Sequence, residues 1–323
     1  MAYQQSLGVI KRCVDRGVLP MAVVGVAVGG DIVDIQGVAA QPDDVVYLAS
    51  ISKPLVATMV MRMVARGEIA LAEPLPARPE LTWVHVLTHS SGLPEVAWPA
   101  ALAARPREAA GLDTAATAPL LFTPGAAFSY STLAFELLAH ALEDSSGLDL
   151  ESLLRRELTE PLAMVDTGFA PDRARAVAVE EITQGLDVTA REATDHLIAL
   201  RLAGAGLWST AEDLLRFGMG VLTAEHGQGL LPTWAVDVMG VNHAAGLVDA
   251  ATGQLADQGI GWRRGRIAGR QLLPGRRILE HDGAAGSCLW LDRDAAMVVV
   301  ILTSRLGAPA WAWQRAVTAA YVE

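Results

Sequence analysis

Val45-Val46-Tyr47-Leu48-Ala49-Ser50-Ile51-Ser52-Lys53-Pro54-Leu55-Val56-Ala57-Thr58-Met59-Val60-Met61-Arg62-Met63-Val64 is the stretch on which the reading of this chain turns. Its first four residues read as a short buried strand, and Leu55 to Val64 as an apolar helix closed by Arg66-Gly67. Ser50 therefore falls at a helix N-terminus. Orphan N–H groups and the positive end of the helix dipole there favour a developing oxyanion and a neighbouring amine that gives up its proton. Pro54 fits, because the first helical turn tolerates a missing N–H. Residues three apart share a helix face, so Lys53 lies beside the Ser50 hydroxyl. Of the 25 basic residues only Lys11 and Lys53 are lysines. A guanidinium does not deprotonate in a protein, whereas an ammonium can, and a lysine retained in an arginine-rich chain suits work that needs a free amine. Serine with an adjacent amine is the nucleophile–base pair of Ser-Lys acyl transfer. With 13 serines and two lysines in the chain, the spacing arises by chance in roughly one chain in twelve, so it decides nothing without its context.

Composition narrows the classes. The 323 residues are 52% hydrophobic and 19% charged with a net charge of −11, enough for a large core in two lobes and a poor match to nucleic acid. No apolar run approaches a membrane span, and residues 1–20 lack the uninterrupted apolar core of a signal peptide, so a cytoplasmic protein without membrane attachment is expected. Cys13 and Cys288 are too few for a disulfide framework and are expected as packed thiols.

Both ends of the chain look like sheet. Met21 to Gly29 and Ile32 to Gln36 bracket a Gly29-Gly30-Asp31 turn after a helix starting near Tyr3. Gly286 to Leu291 and Ala295 to Leu302 bracket Asp292-Arg293-Asp294 before a helical Pro309 to Tyr321. Between them the pattern is Ala- and Leu-rich and helical. Leu133, Leu137, Leu138, Ala141 and Leu142 form one stripe stopped by Gly147, and Ser209 to Glu212 reads as a capping box. The spacing predicts a discontinuous α/β domain over 1–75 and 223–323 with a helical domain over 76–222. The loosest stretch is the Ala/Pro-rich segment from Pro94 to Pro124.

Three phrases, in this order and spacing, carry a family resemblance: Ser50-Ile51-Ser52-Lys53, then Phe128-Ser129-Tyr130-Ser131-Thr132, then His281-Asp282-Gly283-Ala284-Ala285-Gly286-Ser287. With Leu87 to Pro94, Glu160 to Met164, Gly206 to Leu214 and Gly259 to Trp262, they resemble the serine β-lactamase and penicillin-binding-protein superfamily, most of all its esterase and class C β-lactamase-related branch. The resemblance implies an α/β fold: an antiparallel sheet flanked by helices, an all-helical lobe, and an active site in the cleft between them. It implies Ser50 as nucleophile, Lys53 as the activating amine and Tyr130 as the second member of the acid/base pair. It also implies an oxyanion hole from the backbone N–H groups of Ser50 and Ala284, with Thr132, His281 and Gly283 toward the substrate and His281 facing the cleft from an edge strand. Two positions depart from the family's pattern. Thr132 stands where asparagine is common, and His281 where a carboxylate-binding lysine is usual; both point away from amides and β-lactams and toward esters.

Other chemistry is set aside. His85 and His89 have zinc-helix spacing, but Val86 replaces the glutamate such a site would need. There is no dinucleotide fingerprint, phosphate loop or Gly-x-Ser-x-Gly elbow. Trp208, Trp262 and Trp290 are candidates for an acyl pocket, though core is the commoner place for tryptophan. The expectation is a serine hydrolase that cleaves small-molecule esters through an acyl-enzyme on Ser50, with no metal or cofactor. The alternative is an acyltransferase passing the same acyl group to an alcohol or amine in a biosynthetic pathway. D-aminopeptidase, amidase or β-lactamase activity comes third, and a catalytically silent binding protein last.

Overall fold

The computed structural model describes residues 2–95, 112–180, 189–223, 229–267 and 270–321. Most of the stretch from Pro94 to Pro124 thus lies outside the described residues. The chain opens with α1 (Ala2–Asp15), the hairpin β1 (Ala22–Val28) and β2 (Asp31–Val38), the short strand β3 (Val46–Tyr47), a 3-10 turn (Ala49–Ile51) and α2 (Ser52–Ala65). A ribbon of β4 (Pro74–Leu75) and β5 (Arg78–Thr82) leads into α3 (Trp83–Leu87), α4 (Leu112–Thr117), α5 (Leu133–Ser146), α6 (Leu150–Leu154) and α7 (Ala190–Leu200). After β6 (Trp208–Ser209) come α8 (Ala211–Leu222), α9 (Thr233–Gly240) and the ribbon β7 (Arg266–Ile267) and β8 (Arg270–Gln271). The strands β9 (Ile278–Asp282), β10 (Cys288–Asp292) and β11 (Met297–Leu302) follow, and α10 (Trp311–Ala319) ends the fold.

Strands from both ends of the chain build one antiparallel sheet in the order β2-β1-β11-β10-β9. Period-2 alternation divides its side chains between two apolar cores. Val24, Val26, Trp290, Val299 and Ile301 meet Leu7 and Ile10 of α1 and Trp313 and Val317 of α10 on one face. Val23, Leu289, Leu291, Val298 and Val300 meet α2 and α8 on the other. With both faces covered, β11 is buried along its whole length, which is why Met297 to Leu302 is unbroken apolar sequence.

Helix α2 is the axle of the molecule. Ser52 to Met61 are all buried, as a helix with an apolar circumference must be. Its far end is pinned by Glu157, 2% exposed, which accepts from the part-open Arg62 at 2.8 Å and Arg66 at 2.9 and 3.0 Å.

The middle of the chain is not purely helical. The ribbon β4/β5 and the pairing of β3 with β6 (Val46↔Ser209, Tyr47↔Trp208) interrupt it with strands mostly two residues long, too short for periodicity to announce. The stripe on α5 is buried as expected, and Gly147 ends that helix at φ +69°. The cap of α8 lies one residue later than the capping-box reading: Thr210, not Ser209, accepts the backbone N–H of Asp213. Although α8 falls within 76–222, it packs on the sheet, with Leu215 against Gly25 of β1 and Gly218 against Val298 of β11. Cys13 and Cys288 are buried free thiols. Among the described residues no helix is long and apolar enough to cross a membrane.

Candidate active site

Strand β3 delivers the chain to the 3-10 turn that carries Ser50, and α2 starts at Ser52, so Ser50 sits in the tight turn feeding the helix rather than in its first α-helical turn. Ala49 just before it is held at φ +48°, a left-handed conformation that costs a non-glycine residue roughly 1 kcal/mol or more and persists only where the surroundings enforce it. The enforcement is visible. Leu48 N–H bonds the Leu207 carbonyl, and the Ser52 hydroxyl accepts Leu207 N–H at 3.1 Å.

Lys53 is fully buried. Its Nζ lies 3.3 Å from Ser50 Oγ, 3.0 Å from Thr132 Oγ1 and 2.9 Å from the Gly204 carbonyl oxygen. A carbonyl can only accept, and Thr132 is well placed to accept as well. A neutral amine would satisfy all three neighbours: two N–H groups donate to Gly204 and Thr132, and the lone pair takes the Ser50 hydroxyl proton. Gly204 belongs to this site for want of space. A Cβ there would lie 2.8 Å from Phe135 Cβ and 3.2 Å from Thr132 Cγ2, so no other residue brings its carbonyl to Lys53 without displacing them. Thr132, expected to contact substrate, is 1% exposed with its hydroxyl engaged by Lys53. Its backbone N–H donates to Glu95 at 2.8 Å.

Tyr130, the expected second member of the acid/base pair, lies beside Lys53 without a hydrogen bond between them in the resting site. Lys53 Nζ has its neighbours in Ser50, Thr132 and Gly204, and lies 4.7 Å from the centroid of the Tyr130 ring. Tyr130 Oη has no hydrogen-bond partner among the described residues, and Tyr130 lines the cleft with Ser50. His89, at φ +56°, packs against the same ring with centroids 4.3 Å apart. Its Nδ1 accepts the Ser131 N–H at 3.2 Å, tying it to the turn that carries Tyr130. Burial, then the Lys53 and Arg263 charges, push its pKa well below the usual histidine value, so it stays neutral.

His281 does not face the cleft. It is fully buried on β9 with its ring 6.4 Å from that of Tyr130, and Nδ1–H donates to the Asp282 carbonyl at 2.9 Å. Burial, and after it the charges of Arg263 and Lys53, keep it neutral. Gly283, expected near substrate, packs against the nucleophile's own loop: a Cβ there would sit 2.4 Å from the Leu48 carbonyl oxygen. That close approach of β9 to the 3-10 turn sets Ala284 beside Ser50, and both line one cleft of about 680 Å³ together with Tyr130, Thr132 and Glu95.

Gly204 and Arg263 are among the residues of the site that escaped the sequence. Gly204 sits in a run of small residues with no side chain to flag it. Arg263 follows Gly259-Ile260-Gly261-Trp262 directly and lines the cleft, with its guanidinium 5.5 Å from the Tyr130 ring centroid. The tryptophans resolve as core. Trp208, Trp262 and Trp290 are fully buried and none lines the cleft; Trp262 stacks on Phe217, and Trp290 Nε1 donates to Tyr321. His85 caps α3, accepting the Thr82 N–H on Nδ1, while His89 turns to Tyr130.

Comparison with known proteins reaches the same place. The Beta-lactamase family profile matches residues 8–320. Esterase EstB of Burkholderia gladioli is 29% identical over 321 residues, 81% of this chain and 78% of its own. D-alanyl-D-alanine-carboxypeptidase/endopeptidase AmpH of Escherichia coli is 32% identical over 211 residues, 59% of this chain and 52% of its own, so the match spans about half of that relative. Among solved structures, EstCE1, a hydrolase with promiscuous acyltransferase activity, superposes with a TM-score of 0.77 at 21% identity, covering 99% of this chain and 98% of that one. A penicillin-binding protein homolog from Caulobacter crescentus superposes with a TM-score of 0.80 at 17% identity over 99% and 97%.

Proposed function

The chain belongs to the β-lactamase family, and on that premise we propose that it is a serine hydrolase of carboxylesterase type that cleaves small-molecule esters through an acyl-enzyme on Ser50. The observation that carries this reading is the buried Lys53 amine 3.3 Å from Ser50 Oγ, with two fixed acceptors for its own N–H groups.

Ser50 Oγ attacks the ester carbonyl as its proton passes to the Lys53 lone pair, and the backbone N–H groups of Ser50 and Ala284 hold the developing oxyanion. The proton then goes to the departing alkoxide through Tyr130, whose unpartnered hydroxyl is free to serve it. Water enters in place of the alcohol and gives up a proton to the Tyr130–Lys53 pair as it attacks the acyl carbonyl; when the acid leaves, that proton passes to Ser50 Oγ and restores Ser50–OH. The name of EstB supports ester cleavage. Thr132 and His281 support esters over amides and β-lactams, because neither presents an amide or ammonium group to the cleft.

A second reading replaces water by an alcohol or amine. It draws on the size of the cleft, about 680 Å³, which has room for an acceptor beside a short acyl chain, and on the activity named for EstCE1. A cytoplasmic location is part of the proposal and is tested by cell fractionation.

The experiment is intact-protein mass spectrometry with p-nitrophenyl acetate and butyrate, alongside nitrophenol release, for wild type and Ser50→Ala. A Ser50-dependent adduct that clears in water supports the esterase. An adduct that persists until an alcohol or amine is added supports the transferase, and its absence with short and long acyl esters alike refutes both.

A further inference from the structure

Arg263 is the one cation lining the cleft among the described residues, and ester hydrolysis as written leaves it without a role. Its place is built, not incidental. Arg263 N–H donates to the Glu280 carbonyl at 2.9 Å, and Glu280 N–H returns the bond at 2.9 Å. That bridge fixes the backbone of Arg263 along the free edge of β9, diagonal to Asp282, where long side chains reach each other. The Arg263 guanidinium Nη1 donates to Asp282 Oδ1. Both residues line the cleft with Ser50 and Tyr130, and both are part-open, with side chains 36% and 25% exposed.

Asp282 takes one nitrogen of a guanidinium that carries five N–H donors, in a contact that is single rather than forked. Such a cation, part-open in the same cleft as the nucleophile, has the chemistry to seat an acidic group of a substrate. The acid it holds, however, belongs to the chain. A tethered carboxylate acts at a high effective concentration, millimolar or above, which a free substrate must exceed to displace it. Glu95 and Asp249 line the same cleft and add repulsion to any incoming anion.

Resting on the Ser50 esterase reading, we propose that Asp282 is a specificity-determining residue: as an internal carboxylate it occupies the Arg263 guanidinium and so restricts the acyl-enzyme reaction to donors without an acidic group of their own. Removing that carboxylate exposes a latent site for anionic acyl donors.

The test compares kcat/KM for two p-nitrophenyl esters of equal acyl length, the neutral hexanoate and the anionic mono-adipate, in wild type, Asp282→Asn, Arg263→Gln and the double variant. The adipate-to-hexanoate ratio is expected to rise by about tenfold or more in Asp282→Asn, as one hydrogen bond to a charged group becomes available. It is expected to fall back in the double variant, which lacks the guanidinium. A ratio unchanged in Asp282→Asn, or a rise kept in the double variant, overturns the proposal; the second result leaves only general repulsion. Asp282→Ser repeats the test if the asparagine variant does not fold. Failure of wild type to turn over the hexanoate would sink the esterase reading itself, whereas an active wild type with an unmoved ratio sinks only this inference.

Discussion

Replacing Glu280 by glutamine should remove a pH dependence of stability that the fold imposes on itself. Glu280 sits on β9 at 2% exposure, its Oε2 has no hydrogen-bond partner, and burial, opposed by the Arg263 charge, lifts its pKa to about 7. The folded protein therefore binds a proton between about pH 4.5 and 7 that the unfolded chain has released. Stability from this group is full below the unfolded value and is lost as pH rises through 7. At 1.36 kcal/mol per unit, a rise of that size amounts to about 3 kcal/mol. His89 and His281 act with the opposite sign: both are held neutral by burial, so their contribution is present above about pH 6.5 and lost as pH falls. Wild type alone would show the sum of these trends, so the informative quantity is the difference from Glu280→Gln, in which the amide keeps the shape and cannot ionise. Urea unfolding at pH 5, 6, 7 and 8 should show the variant gaining on wild type by about 2–3 kcal/mol across that range, whatever its constant offset. A difference that stays flat from pH 5 to 8 would refute the placement of a buried, unpaired carboxyl on β9.

Lys53→Arg supplies a guanidinium that never deprotonates, in a space closed by three neighbours; kcat on p-nitrophenyl butyrate should fall by about 10³-fold or more with loss of the acyl adduct, and near-normal turnover would defeat the general-base assignment. Gly283→Ala drives a Cβ to 2.4 Å from the Leu48 carbonyl and must part β9 from the Ser50 turn, so a kcat loss of about 10²-fold or more is expected in steady-state assays. Gly204→Ala pushes on Phe135 and Thr132 and shifts the carbonyl that Lys53 uses. The expected outcome is about 1–3 kcal/mol of lost stability by denaturant unfolding, with a kcat that drops more than KM changes.

Much of the scaffold was legible along the chain because its causes are local. The apolar runs of β1 and β11, the stripe on α5 and the turn at Gly29-Gly30 depend on residues a few positions apart, and so does the Ser50–Lys53 spacing. The order of the three phrases at Ser50, Tyr130 and His281 was likewise readable, and with it the family. The two-residue strands β3 and β6 were less so, since each exists only through the other.

What surrounds the nucleophile was a matter for packing. Thr132 comes to Lys53 from 79 residues away and the Gly204 carbonyl from 151. His281 turns inward and Asp282 meets Arg263 across the edge of β9, while three tryptophans that looked fit for a pocket fill the core. Side-chain type along the sequence announces a nucleophile and its amine, because few residues can do that chemistry. It is silent on the groups that orient them: every residue carries a carbonyl, and which one arrives at Lys53 depends on how the helices close over α2.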